Sequence, residues 1–103
     1  MNRGEIWWTE IASKRRPVLV LTRAEVIAVR ELVTVAEVTT IDRGLSVEVP
    51  LDPEFSGLTR KSVVNCDGLY TVRQSALRQR AGQLNGAVME RVCRAVSYAL
   101  GCR

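Results

Sequence analysis

Apolar and polar positions follow one period through most of this chain and another at its end. Gly4 to Ile11 alternates poorly but is rich in β-formers (Ile6, Trp7, Trp8, Thr9 and Ile11), and reads as a first strand. Ala12-Ser13-Lys14-Arg15 reads as a short connection. Pro17–Thr22 is a short apolar run of the kind buried on both faces of a sheet, with Pro17 placed where a strand begins and no ladder hydrogen bond is lost. Arg23–Arg30 fits either a short helical turn or a loop. Leu32–Thr40 alternates apolar with small polar residues and predicts a third strand. Asp42-Arg43-Gly44 supplies a turn, and Ser46–Leu51 alternates with period two as a fourth strand with one wet face. Asp52–Arg60, holding Pro53 and Gly57, reads as a loop. Ser62–Cys66 predicts a fifth strand and Leu69–Val72 a sixth, with Asp67-Gly68 bending the chain between them.

The period changes after Asn85. Val88, Met89, Val92, Val96, Ala99 and Leu100 recur at three- and four-residue spacing, Asn85 can cap the helix, and Gly101 is placed to stop it. Glu90, Arg91, Arg94 and Ser97 lie on the opposite face, so the apolar stripe is read as core packing on the sheet. The expected architecture is mainly β with a C-terminal helix, a small, strongly bent barrel or sandwich. At 103 residues the chain is read as one domain, 1–103.

Charge changes the picture through its distribution. The formal net charge is +4, but residues 1–54 carry seven Lys/Arg and nine Asp/Glu, while residues 55–103 carry eight Lys/Arg and only two acids, Asp67 and Glu90. A basic half suits a polyanionic or acidic partner, or is a solvated face with no ligand. The start of the chain has no apolar signal core and no run approaches membrane-spanning length, so a cytoplasmic protein with no membrane partner is the expectation. Three cysteines without C-x-x-C spacing (Cys66, Cys93, Cys102) read as reduced thiols. There is no histidine, which argues against a His-based zinc site, a Ser-His-Asp triad or paired imidazoles; no metal and no cofactor is expected.

The candidate chemistry centres on Lys14-Arg15-Arg16-Pro17, where a knot of cations runs into an apolar strand. Arg16 at that junction offers a permanently charged fork matched to phosphate oxygens; its alternative is a plain surface arginine. Thr39 and Thr40 end the third strand before a turn, and a hydroxyl there can donate to a phosphate oxygen. Asp67, in Asn65-Cys66-Asp67-Gly68, is either a base or a turn former before glycine. Trp7 and Trp8 can stack bases, though one of two adjacent strand tryptophans is expected in the core.

Taken in order, Arg3-Gly4-Glu5-Ile6-Trp7, Arg16-Pro17-Val18-Leu19-Val20-Leu21, Val38-Thr39-Thr40, Ser62-Val63-Val64-Asn65-Cys66-Asp67, Thr71-Val72 and the closing helix resemble the MazF/PemK/Kid family of toxin ribonucleases, over nearly the whole chain. The resemblance implies an SH3-like barrel that dimerises, cuts single-stranded RNA without a metal, and is held by an antitoxin whose acidic, flexible segment occupies the RNA groove. By that match Arg16 and Thr39 take the places of the catalytic arginine and threonine, and Asp67 matches a position that acts as a base in the Kid branch. That branch has arginine where this chain has Asn65. The loop near Ile11–Arg15 is also shorter than is usual in the family.

In such cleavage the ribose 2′-hydroxyl attacks the adjoining phosphorus, and donors aimed at the phosphoryl oxygens carry much of the catalysis. Lys14, Arg15 and Arg43, expected in loops beside the site, together with Thr40 and Asn65, are the candidate RNA contacts. Two other readings stand beside this one. The same fold resembles the CcdB toxins, which bind gyrase and cut nothing, and a basic domain can bind RNA without cleaving it.

Overall fold

The computed structural model describes residues 1–102, the side chain of Phe55 aside. Six strands form one antiparallel sheet: β1 (Glu5–Ile11), β2 (Lys14–Val20), β3 (Leu32–Thr39), β4 (Glu48–Leu51), β5 (Ser62–Arg73) and β6 (Gln79–Gln83). They are accompanied by α1 (Ala24–Ile27), α2 (Pro53–Ser56), α3 (Gly86–Ala99) and a single 3-10 turn at Gln74–Ala76. The strand order is β4-β5-β3-β2-β1-β6. The sheet curls into a half-barrel whose main core holds Ile6, Leu19, Ala36, Val38, Val64 and Cys66 against Met89, Val92 and Ala95 of α3. A smaller cluster gathers Val18, Val20, Val33 and Val35 with Ile27 and Leu77. Leu19 thus faces one cluster while Val18 and Val20 face the other, which is why β2 reads as a continuous apolar run. Each such fully buried aliphatic side chain contributes about 1.5–3 kcal/mol.

The two sheet edges, β4 and β6, do not pair; α2 fills the space between them. Asp52 caps α2 by accepting the Glu54 N–H at 2.9 Å, and Gly57 ends it in the left-handed region, φ +77°. Backbone meets backbone at this seam. A Cβ on Gly57 would overlap the Ala81 carbonyl, and one on Gly82 would overlap the Ser56 carbonyl. At the other end of the chain Asn85 accepts the Val88 N–H at 2.9 Å to start α3, and Gly101 at φ +71° ends it, as the sequence pattern implies.

Three departures from the sequence reading matter for the site. The connection after β1 is only Ala12-Ser13, both at positive φ (53° and 66°), so β2 begins at Lys14. Lys14 and Arg15 therefore stand on a strand and not in a loop. Pro17 lies within β2, yet β3 begins to pair only at Val18, so its missing N–H leaves no gap in that ladder. The expected fifth and sixth strands are one strand, β5. Asp67-Gly68 is a bulge in it: Glu37 pairs with Asn65 and its neighbour Ala36 with Leu69, leaving Cys66, Asp67 and Gly68 without partners on β3. The true sixth strand, Gln79–Gln83, is a polar edge with no apolar alternation to announce it.

Candidate active site

The register of β2 and β3 builds the site. Val18 faces Glu37 in the last pair of the two strands, and the same register continued by two residues would set Arg16 opposite Thr39. Alternation puts Arg16, Glu37 and Thr39 on one face. Arg16 and Thr39 both line a cleft of about 340 Å³ that also takes in Arg15, Thr40, Arg60 and the Trp8 ring. Among the described residues, three arginines line this cleft and no carboxylate does.

Arg16 is held in place. Its Nη1 donates to Glu37 Oε1 at 3.1 Å, a diagonal cross-strand contact in which the side chains are 34% and 20% exposed. One arm of the fork is engaged and the group still borders solvent. Thr39 is oriented by its own turn, since its Oγ1 accepts the Ile41 N–H at 3.1 Å. A hydroxyl that accepts from the backbone keeps its proton for another acceptor, so Thr39 can donate into the cleft.

The remaining candidates divide. Thr40 is exposed and lines the cleft. Arg15 lines it too, but its guanidinium lies 4.2 Å from the centroid of the Trp8 ring and donates to Gln79 Oε1 at 2.8 Å. Lys14 is exposed on β2, paired with Ile11, and is not a lining residue. Arg43, in a loop as expected, keeps its side chain 57% exposed and also holds its loop. Its N–H and that of Leu45 donate to the buried Glu48, 2.9 and 3.1 Å, and its guanidinium sits 3.9 Å from the same carboxylate, so this residue anchors its loop.

Asn65 stands beside Glu37, and its Oδ1 accepts the Asp67 N–H at 3.1 Å. Asp67 is exposed on the bulge and does not line the cleft. The neighbouring Cys66 thiol is buried, and burial, with smaller effects of Asp67 and Cys93, pushes it up to about 11, which keeps it protonated at neutral pH. Among the described residues no three His, Cys, Asp or Glu side chains gather as metal ligands.

Two residues escape the sequence reading. Glu37 had a signal: the lone charge on a strand of apolar and small polar residues, two residues before Thr39, needs a cation, and Arg16 is that cation. Arg60 had none, because it reaches the cleft through the irregular segment between α2 and β5.

The sequence model of the PemK-like, MazF-like toxins of type II toxin–antitoxin systems matches residues 2–100. The probable endoribonuclease MazF5 of Mycobacterium tuberculosis is 41% identical over 101 residues, covering 97% of this chain and 93% of its own length. The structure of the M. tuberculosis toxin MazF-mt6 superposes with a TM-score of 0.87 at 37% identity, covering 94% of this chain and 96% of that one. A MazE–MazF complex from Deinococcus radiodurans gives a TM-score of 0.83 at 25% identity, covering 98% and 95%. With a match across almost its whole length and a half-barrel closed by the same kind of helix, the chain belongs to the PemK-like, MazF-like toxin family of type II toxin–antitoxin systems.

Proposed function

We propose that this chain is the toxin of its pair and an endoribonuclease, cutting single-stranded RNA in the cleft between the start of β2 and the end of β3. The observation that carries the reading is that Arg16 and Thr39, from neighbouring strands, line one cleft. The 2′-oxygen attacks the adjoining phosphorus, a new O–P bond forms and the bond to the 5′-oxygen breaks. The products carry a 2′,3′-cyclic phosphate and a 5′-hydroxyl.

Negative charge grows on the phosphoryl oxygens, and Arg16 and Thr39 supply donors already in place for it. The 2′-hydroxyl proton leaves to a base and the 5′-oxygen takes one up. A guanidinium stays charged and is a poor proton shuttle, so the role of Arg16 is electrostatic. Glu37 lies directly behind it, whereas Asp67 is not a lining residue and is given no step. Arg60 and Lys14 hold the RNA backbone with Thr40, Arg15 is a further RNA contact in the cleft wall, and Asn65 and Arg43 support the surfaces beside it.

The relatives' names support this: one is called a probable endoribonuclease, and another was solved as a MazE–MazF complex. An antitoxin with an acidic segment suits a cleft lined by arginines. A homodimer is the working unit, with exposed Tyr98 and Leu100 at the end of α3 available for a second copy to cover. No helix of the described residues is long and apolar enough to cross a membrane, and the cytoplasm, where RNA is plentiful, is the expected place of action.

The test is cleavage of a mixed RNA pool in the presence of a chelator, with the ends mapped chemically. Cyclic phosphate and 5′-hydroxyl ends are expected. Intact RNA together with inhibited gyrase supercoiling would replace this reading with a gyrase-binding toxin.

A further inference from the structure

We propose that the cleft on the far side of Trp8 is a nucleobase subsite, in which a base stacks on Arg15 and Glu10 reads it as guanine. The inference rests on the RNA-cutting reading above and adds what the enzyme selects beside the scissile bond. This second cleft, about 290 Å³, is lined by Trp8, Thr9, Glu10, Arg15, Ala76 and Arg78. Trp8 and Arg15 also line the cleft that holds Arg16 and Thr39, so the two spaces share a wall. A nucleotide next to the cut phosphate reaches the second space without leaving the protein surface.

The shared wall is a stacking platform already assembled. The Arg15 guanidinium lies 4.2 Å from the Trp8 ring centroid, and its Nη2 is tied to Gln79 Oε1 at 2.8 Å. Arg15 is exposed where it lies over the ring, and unstacked RNA bases settle on guanidinium planes and aromatic rings. Arg15 is thereby a base-stacking residue more than a phosphate clamp. Glu10 faces Arg15 across the β1–β2 ladder and lies on the same side of the strand as Trp8. Among the described residues its carboxylate forms no ion pair or hydrogen bond, whereas the Thr9 hydroxyl is spent on the Ala76 carbonyl at 2.7 Å.

The chemistry of a carboxylate then chooses the base. Ionised, it only accepts. Guanine offers two adjacent donors, N1–H and the 2-amino group, to its two oxygens. Adenine and cytosine place one amino group next to a ring-nitrogen acceptor that the carboxylate repels. Uracil offers a single N3–H flanked by two carbonyl oxygens. Guanine is the one base whose edge matches.

The experiment sequences the cleavage ends of a randomised RNA pool cut by wild type, Glu10→Gln and Arg15→Lys. A parallel arm measures binding of oligonucleotides made non-cleavable by 2′-deoxy substitution at the cut site and differing only in the neighbouring base. Guanine enriched at one fixed position beside the cut is expected. Glu10→Gln should lower the guanine-over-uracil preference there about tenfold or more, in cleavage and in binding alike. Arg15→Lys, which keeps the charge but not the plane, should flatten the same position.

A wild-type pattern with no guanine preference beside the cut, or one that Glu10→Gln leaves intact, overturns the subsite while the nuclease stands. RNA left uncut by wild type overturns the nuclease reading instead. The binding arm then decides the subsite alone: a guanine preference lost in Glu10→Gln supports it, and equal affinities end it. Circular dichroism confirms that the variants fold.

Discussion

Removing Glu37 separates what Arg16 does from what holds it there. The two side chains meet at 3.1 Å with 34% and 20% of their surfaces exposed. At that distance and an effective dielectric of about 20 the bare attraction is about 5 kcal/mol. Lost hydration cancels most of it, leaving a net of about 1–2 kcal/mol, between a surface pair and a buried one. That net restrains the guanidinium to one position at the cleft mouth. If the restraint serves catalysis, Glu37→Ala should lower kcat about tenfold, since each 1.4 kcal/mol is a factor of ten. The KM should hold or fall, because the cleft becomes more cationic.

Glu37→Gln keeps an acceptor beside Arg16 and should recover part of the loss. The assay is single-turnover cleavage of a short fluorogenic RNA, run as a double-mutant cycle with Arg16→Ala. In the Arg16→Ala background, Glu37→Ala should have no further effect. An unchanged kcat in Glu37→Ala would refute the positioning role. A further loss on top of Arg16→Ala would show that Glu37 acts on the substrate itself, as a base.

Other perturbations reach different parts of the molecule. Gly57→Ala meets both the left-handed φ of +77° and the Ala81 carbonyl, so it should destabilise the seam between α2 and β6 by about 2–4 kcal/mol; thermal melting reads the loss, and an unchanged Tm would contradict the packing described. Burial alone would raise the Glu5 carboxyl, but the Asn2 N–H, the Trp7 indole and the Arg80 guanidinium together hold it below its usual 4.5. Its stabilisation is therefore present above about pH 4.5 and lost as pH falls through the depressed value, and Glu5→Gln should flatten the acid limb of stability against pH. RNA affinity should fall with log salt at a slope near −2 for about three phosphates neutralised, and Arg60→Ala should reduce that slope by about 0.7.

Much of this arrangement is legible from residue pattern, and the failures have physical causes. Three-four spacing and both caps locate α3, because capping and burial there agree with propensity. The tight β1–β2 turn is hidden because Ala12 and Ser13 adopt positive φ without the Asn-Gly that usually marks it. Asp67-Gly68 looks like a turn because bulges and turns recruit the same residues. β6 is silent because an edge strand of Gln79, Arg80 and Gln83 exposes its side chains and needs no alternation. In the site, Arg16 stands out beside a cluster of charge and Thr39 at a strand end before a turn. The role of Glu37 comes from the diagonal neighbour that register gives it, and register is not written in either strand alone.

The most direct test of the central claim is single-turnover RNA cleavage, with chelator present, by folded Arg16→Ala, Thr39→Val and Thr39→Ser proteins. Loss of a preorganised donor predicts a fall of about a hundred- to a thousandfold for Arg16→Ala, and a clear fall for Thr39→Val that Thr39→Ser largely restores. Wild-type rates from a folded Arg16→Ala or Thr39→Val protein would contradict it.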